Sequence, residues 1–492
     1  MTASQDRSDG AQDGAQDDAV LTAPARASAL DPGGRFLERP LEHGLAAALV
    51  AREDRRPIVV RGLAGIGKTA LLARATRRLL GSGVALERLA WAGAGIDDFE
   101  SWLKARLERS GAQYHRPLVV LIDELAVFPG AGEVVLRAMA EGASLRVAAG
   151  DSVGTPVSDG WRPVALGPRT ADELVDDPGR RAPVRDRSLR DVLLEATHKS
   201  RFTERRAALR ARRSLVLGGG FPEALTQALE LRGESERSAG RGRGGLHRTI
   251  HAWMVERVVE PGLELLAQES NLGVGQVAEV CRELALRRRR PLRSRELSAG
   301  LALGEDVLEG LLERIEARGW IARSSAYGRR GMAAEFAVHW ACVALRRAAA
   351  LRELPLAKGA EPLRLAAELD GLLSAHAVAV ARARGTQLQH LAGPGALGIV
   401  LDDGRRPVAL LCAEDGAGPR GLLRRAIAKR PALAGGCFLV LRDPLPMPVP
   451  PGEDGIGCLS LDSALLLLGR RVRALQLRQD DPLSAGVQQL AF

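Results

Sequence analysis

Pro57-Ile-Val-Val-Arg-Gly-Leu-Ala-Gly-Ile-Gly-Lys-Thr-Ala-Leu-Leu72 is a short β-branched run that ends in Gly62-x-x-x-x-Gly67-Lys68-Thr69 and passes into an apolar-periodic helix. This is a P-loop. Glycines at 62, 65 and 67 let the backbone turn its N–H groups onto a phosphate chain, and a helix starting near Lys68 aims its positive end at the same anion. Lys68 adds a full charge, Thr69 offers a hydroxyl to Mg²⁺, and Ala70 follows in the helix's first turn. The pattern therefore predicts a nucleotide site with ATP and Mg²⁺ as its cofactors. A plain glycine-rich turn is the competing reading, but the motif stands between strand and helix, where phosphate chemistry requires it.

The next decisive stretch is Arg116-Pro-Leu-Val-Val-Leu-Ile-Asp-Glu124. Its unbroken apolar run suits a central parallel strand, buried on both faces. The carboxylates fall at the strand's C-terminal end, where such sheets present ligands. This is the Walker B pattern: Asp123 is expected to hold Mg²⁺, through water or in concert with Thr69, and Glu124 to polarise the attacking water. Between the two motifs, residues 84–95 read as a strand and 97–110 as a helix.

A family resemblance rests on further phrases. Phe36, Arg39 and Glu42 keep the spacing F-x-x-R-x-x-E, which is similar to the opening phrase of AAA+ and STAND ATPases, with Glu38 where a glycine usually stands. The strand over 144–152 ends in Asp151-Ser152, where AAA+ proteins place a γ-phosphate sensor. An ionised Asp151 would repel phosphate, so Ser152 is the candidate. Leu166-Gly-Pro-Arg-Thr170 and Gly218-Gly-Gly-Phe-Pro222 resemble phrases of the archaeal-type ATPases within the STAND group. That resemblance implies a helical lid in which Pro222 and its glycines close over the nucleotide.

Composition bounds the rest. A chain of 492 residues with 46% hydrophobic side chains has room for about three cores. The net charge of +10 comes almost wholly from arginine, since lysine stands only at 68, 104, 199, 358 and 429. We ascribe this bias to a GC-rich, bacterial genome rather than to nucleic-acid binding. Cys281, Cys342, Cys412, Cys437 and Cys458 form no C-x-x-C pair, which argues against zinc and disulfides and suits a reducing cytoplasm. No apolar run suggests a membrane span.

The expected organisation is α/β: a disordered tail at 1–34, a P-loop NTPase core with a parallel sheet at 35–175, and a helical lid with linker at 176–245. A winged helix-turn-helix at 246–345 and a small α/β nuclease-like domain at 346–492 follow. The arginines of 176–213 could include a finger for a neighbouring subunit, without any one standing out. Residues 294–301 and 305–318 supply the two helices of the helix-turn-helix and 320–336 its wing, with Val307, Leu308, Leu311, Leu312 and Ile315 as a core stripe. The second helix shows Glu305, Asp306, Glu309, Glu313 and Glu316 outward, which disfavours DNA as a partner. Arg314, Arg318, Arg323, Arg329 and Arg330 are its only suitable charges. The tail resembles PD-(D/E)xK nucleases, but Ala396, Gly398, Leu411 and Ala413 stand where that family carries its acids and lysine. Asp402, Asp403, Glu414 and Asp415 lie on a turn or past the strand. The reading is an ATP-binding, ATP-hydrolysing switch with a possible protein partner or self-association. An ATP-regulated DNA-binding regulator is the alternative, and an ATPase-linked nuclease a remote third.

Overall fold

The computed structural model describes residues 39–476 apart from several stretches, the longest being 176–187, 225–243, 353–364 and 442–449. The N-terminal tail, Phe36, Pro222, Arg329, Arg330, Asp403, Glu414 and Asp415 lie outside the described residues. By its internal contacts the chain divides into two units: residues 1–62, 67–166 and 477–492, and residues 63–66 with 167–476.

The first unit is a parallel sheet of five strands, β1 (Ile58–Arg61), β2 (Leu89–Ala92), β3 (Leu118–Ile122), β4 (Leu145–Asp151) and β5 (Arg162–Ala165), in the order β2-β3-β4-β1-β5. β3 and β4 are buried along their whole length, as continuous apolar strands between helical layers must be. The mixed α/β layout and its parallel sheet are those of a P-loop NTPase fold. The helix Lys68–Gly81 lays Leu71, Leu72, Ala75 and Leu79 into the core. The helix Phe99–Ser110 is capped by Asp98, whose carboxylate accepts from Glu100 N–H at 3.0 Å. β2 is shorter than the run 84–95 suggests, because Leu86–Arg88 forms a 3₁₀ turn first.

The F-x-x-R-x-x-E phrase acquires a physical meaning here. Glu42, on the helix Pro40–Val50, accepts a 2.8 Å bond from Arg74 on the P-loop helix, and both side chains are largely buried. The phrase ties the first helix to the element that presents Lys68 and Thr69.

The second unit holds an eight-stranded mixed sheet in the order β13-β12-β11-β10-β9-β7-β8-β6. Its strands are β6 (Leu292–Arg293), β7 (Ile321–Ala326), β8 (Glu335–Trp340), β9 (Leu388–Gly393), β10 (Ala396–Asp402), β11 (Pro407–Ala413), β12 (Cys437–Leu441) and β13 (Ile456–Ser460). The hairpin β7–β8 does not stand alone: β7 pairs in parallel with β9, Ser324 opposite Leu388. One sheet therefore takes strands from before and after the helix Val343–Ala350. A buried hydrogen-bonded chain crosses this junction. Ser324 Oγ lies 2.7 Å from His339 Nε2 and 3.0 Å from His390 Nδ1, and His339 Nδ1 lies 2.7 Å from Ser374 Oγ.

The helices Ser294–Leu301 and Glu305–Ala317 precede this hairpin. Leu308, Leu311, Leu312 and Ile315 are buried, whereas Val307 is 43% exposed. One residue is a 100° step around a helix, so Val307 falls off the stripe that its neighbour Leu308 begins.

Candidate functional site

The P-loop leaves β1 at Gly62, whose N–H donates to Asp151 O at 3.1 Å and anchors the loop to the end of β4. Gly65 and Gly67 take φ of +71° and +96°, left-handed values that side chains with a Cβ resist. Gly67 then caps the helix that starts at Lys68.

The described candidates from Walker A, Walker B and the sensor strand meet at one edge of this sheet. Lys68 is buried, and its Nζ donates to Gly62 O at 3.1 Å and to Ser152 Oγ. Thr69 Oγ1 donates to Asp123 Oδ1 at 2.6 Å. Glu124 Oε1 accepts from Ser152 N–H at 2.7 Å. Ala70 lies in the first turn behind them. The Asp151 carboxylate accepts from Thr155 Oγ1 at 3.1 Å and lies 3.5 Å from Arg61 Nε, and its charge also acts on Lys68. Ser152 thus bonds to both Lys68 and Glu124.

Burial and charge oppose each other here. Burial lowers the Lys68 pKa from its ordinary value, resisted by the Glu124, Asp151 and Asp123 carboxylates. Burial raises that of Glu124, resisted by its bonds to Ser152 and by Lys68. A carboxylate with a raised pKa is a better base than an exposed one, which is the property wanted beside an attacking water.

The donor set fits Mg²⁺. Among the described residues no three or more His, Cys, Asp or Glu side chains gather into a metal cage. Mg²⁺ does not need one, since it takes one or two protein oxygens and completes its shell with phosphate and water. Thr69 Oγ1 and Asp123 Oδ1, side by side, are two such oxygens.

Sequence reading did not single out Gly150 or Trp253, and it did not foresee that two phrases of the second unit meet. Gly150 is required because a Cβ there would lie 2.2 Å from Asp123 O, so only glycine lets β4 pass the Walker B turn. Its signal was the Gly before Asp151-Ser152. In the second unit, Gly219 and Gly220 have positive φ, and a Cβ on Gly220 would stand 2.5 Å from Arg169 O. Arg169 N–H donates to Gly220 O at 3.0 Å, so the Leu-x-Pro-Arg-Thr and Gly-Gly-Phe phrases are two sides of one contact. The ring of Trp253 lies against Gly65; a tryptophan in a chain only 3% aromatic was its one cue.

Comparison with known proteins adds little. No family model matches the chain, and no curated protein matches it. Among solved structures, one match is a signal transduction ATPase with numerous domains (STAND) that has a tetratricopeptide repeat sensor, from Pyrococcus horikoshii. It is 15% identical with a TM-score of 0.21, over 67% of this chain and 46% of that one. The chain thus spans less than half the length of that protein, and so low a score carries no argument about function. Among the described residues no helix is long and apolar enough to cross a membrane.

Proposed function

We propose that the chain binds and hydrolyses ATP and acts as a STAND-like switch. The observation that carries this is the meeting of Lys68, the Thr69–Asp123 pair and the Glu124–Ser152 pair at the C-terminal edge of one parallel sheet. Loop N–H groups and Lys68 hold the phosphates, Thr69 and Asp123 supply the oxygens for Mg²⁺, and Glu124 takes a proton from water. When bound, Mg²⁺ neutralises charge on the phosphate chain. Ser152, bonded to both Lys68 and Glu124, is placed to register a γ-phosphate. Calorimetric titration with Mg-ATP tests the reading, and an absence of binding in the wild-type chain would end it. Pro222, as part of a lid, remains a proposal drawn from the resemblance alone.

The helix–turn–helix–hairpin order over 294–340 supports a winged helix that transmits signals rather than reads DNA. Arg318, buried, donates to Glu269 Oε1 at 2.7 Å. Arg323, also buried, is bonded to Glu316 Oε2 at 3.0 Å and to Glu309. Two of the module's few cations are thus spent on its own carboxylates, and phosphate contacts supply most DNA affinity. Affinity for random duplex DNA is expected to be weak, and Arg329→Ala with Arg330→Ala to remove what there is. Tight binding that survives those changes, with a steep salt slope, would overturn the reading.

A nuclease-like tail without chemistry follows from the same logic. Leu411 and Ala413 are buried in one apolar cluster with Val400, Leu422, Leu423 and Leu439, so the face that would carry metal ligands is filled with hydrocarbon. Hard cations bind oxygen and find none there. Single- and double-stranded DNA should stay intact with Mg²⁺ or Mn²⁺, with or without ATP. Cleavage that vanishes on neutralising Asp402, Asp403 and Glu414 would show a working site at the hairpin.

A further inference from the structure

The apex of the P-loop, Leu63–Ile66, has its contacts in the second unit. Gly65 lies so close to Trp253 that a Cβ on it would be 2.9 Å from Cη2 and 3.2 Å from Cζ2 of the indole. Phe221 stands edge-on to Trp253, with ring centroids 5.9 Å apart and planes at 69°. The same Cβ would lie 3.9 Å from Phe221 Cδ1. Phe221 is fully buried and Trp253 is 5% exposed. Behind Phe221, Gly220 is bonded to the Arg169 backbone, so the aromatic pair rests on a support that cannot easily give.

A packed interior transmits displacement because few voids exist to absorb it. Any movement of Gly65 toward the ring must therefore move Trp253. The helix that carries Trp253, Gly244–Met254, does not continue as an ordinary helix. It passes into a π-helical turn, Val255–Val259, and then into the helix Glu260–Ser270. Such turns close i→i+5 bonds instead of i→i+4 and are found inside α-helices frequently at functional sites.

We propose that Trp253 is the residue through which the shape of the phosphate-binding loop reaches the helical segment 244–270, with the π-turn Val255–Val259 as its compliant joint. The proposal rests on the nucleotide reading above and names how that site is coupled to the rest of the chain. Wrapping the loop's N–H groups around phosphate turns peptide planes at the apex. Gly65 then presses on or releases the indole, and the joint takes up the difference. The buried indole N–H has no hydrogen-bond acceptor among the described residues, so a small shift of the ring alters its surroundings and its emission.

The test uses the full chain with Mg²⁺ and a non-hydrolysable ATP analogue. Binding is read by calorimetry and coupling by amide hydrogen exchange at 255–259. The wild-type chain is expected to bind and to change exchange there by fivefold or more. Trp253→Leu keeps apolar bulk but loses the edge that reaches Gly65, so it should still bind while the exchange response disappears. In Trp253→Phe, which preserves an aromatic ring in the core, the analogue-induced change in tryptophan emission should disappear, although the other five of the six tryptophans remain. A wild-type chain that binds without any response at 255–259, a Trp253→Leu chain that responds as the wild type does, or an emission change retained in Trp253→Phe would each overturn the coupling and leave nucleotide binding standing. A wild-type chain that does not bind the analogue would remove the nucleotide reading itself.

Discussion

Glu124→Gln is expected to bind Mg-ATP as the wild type does and to lose turnover by about a hundredfold or more, the usual worth of a positioned base. The amide keeps an oxygen that can accept from Ser152 N–H, a bond of 2.7 Å in the wild type, so the site's geometry survives while the basicity is gone. Saturation at a hundredfold excess over Kd should still stabilise the variant by about 2.7 kcal/mol. Lys68→Ala should lose that stabilisation, because the loop's one full positive charge is removed. The pH profile provides a further check. Glu124 must be ionised to accept a proton, and burial raises its pKa above the ordinary carboxylate value. Turnover should therefore decline with falling pH sooner than an exposed glutamate would dictate. Wild-type turnover in Glu124→Gln, measured by phosphate release, would mean that another group positions the water.

The second large effect expected is loss of stability in mild acid. Among the described residues, His339, His376 and His390 are three of the four histidines buried in the second unit. Burial pushes His339 down to about 3 and His376 down to about 4, and it lowers His390 as well. The bonding of His376 fixes its neutral form: Nδ1–H donates to Leu372 O at 2.8 Å, and Nε2 accepts from Ala171 N–H at 2.9 Å. A proton on Nε2 would face another donor. With folded pKa values below the unfolded value near 6.5, the native state binds fewer protons than the unfolded chain. Stability is then complete above pH 6.5 and falls as pH drops toward 4 and 3. The unfolding equilibrium should shift about tenfold per pH unit for each such histidine. Denaturant midpoints between pH 7 and 5 measure this. His376→Gln, which does not titrate, should make the slope shallower by about one proton. If wild type and variant fall in parallel, His376 is not held neutral.

Legibility differed along the chain for a physical reason. Lys68, Thr69, Asp123 and Glu124 could be read because each belongs to a contiguous phrase whose backbone conformation and neighbours are local: a strand, a turn of glycines, a helix start. The same holds for β3, whose unbroken apolar run requires burial on both faces. Ser152 was reachable because it ends the neighbouring strand in a parallel sheet. Val307 shows the limit of periodicity, since one residue's offset put it outside a stripe that the spacing included.

What depends on meetings between distant segments could not be read in this way. Gly150 is demanded by Asp123 O, Gly220 by Arg169, and the burial of Trp253 by Gly65 and Phe221, and no local pattern encodes such pairs. The pairing of β7 with β9 joins the hairpin to the C-terminal strands and creates the Ser324–His339–His390 chain, which neither segment announces. Arg318 and Arg323 look alike as surface cations until tertiary packing sets Glu269, Glu309 and Glu316 against them. The sequence by itself determined the strand, glycine turn and helix start around Lys68, because those are carried by short-range backbone geometry. Only the tertiary structure decided which charges are spent, which glycines are obligatory and which aromatic ring rests on the loop, because these follow from side chains brought together across many residues of chain.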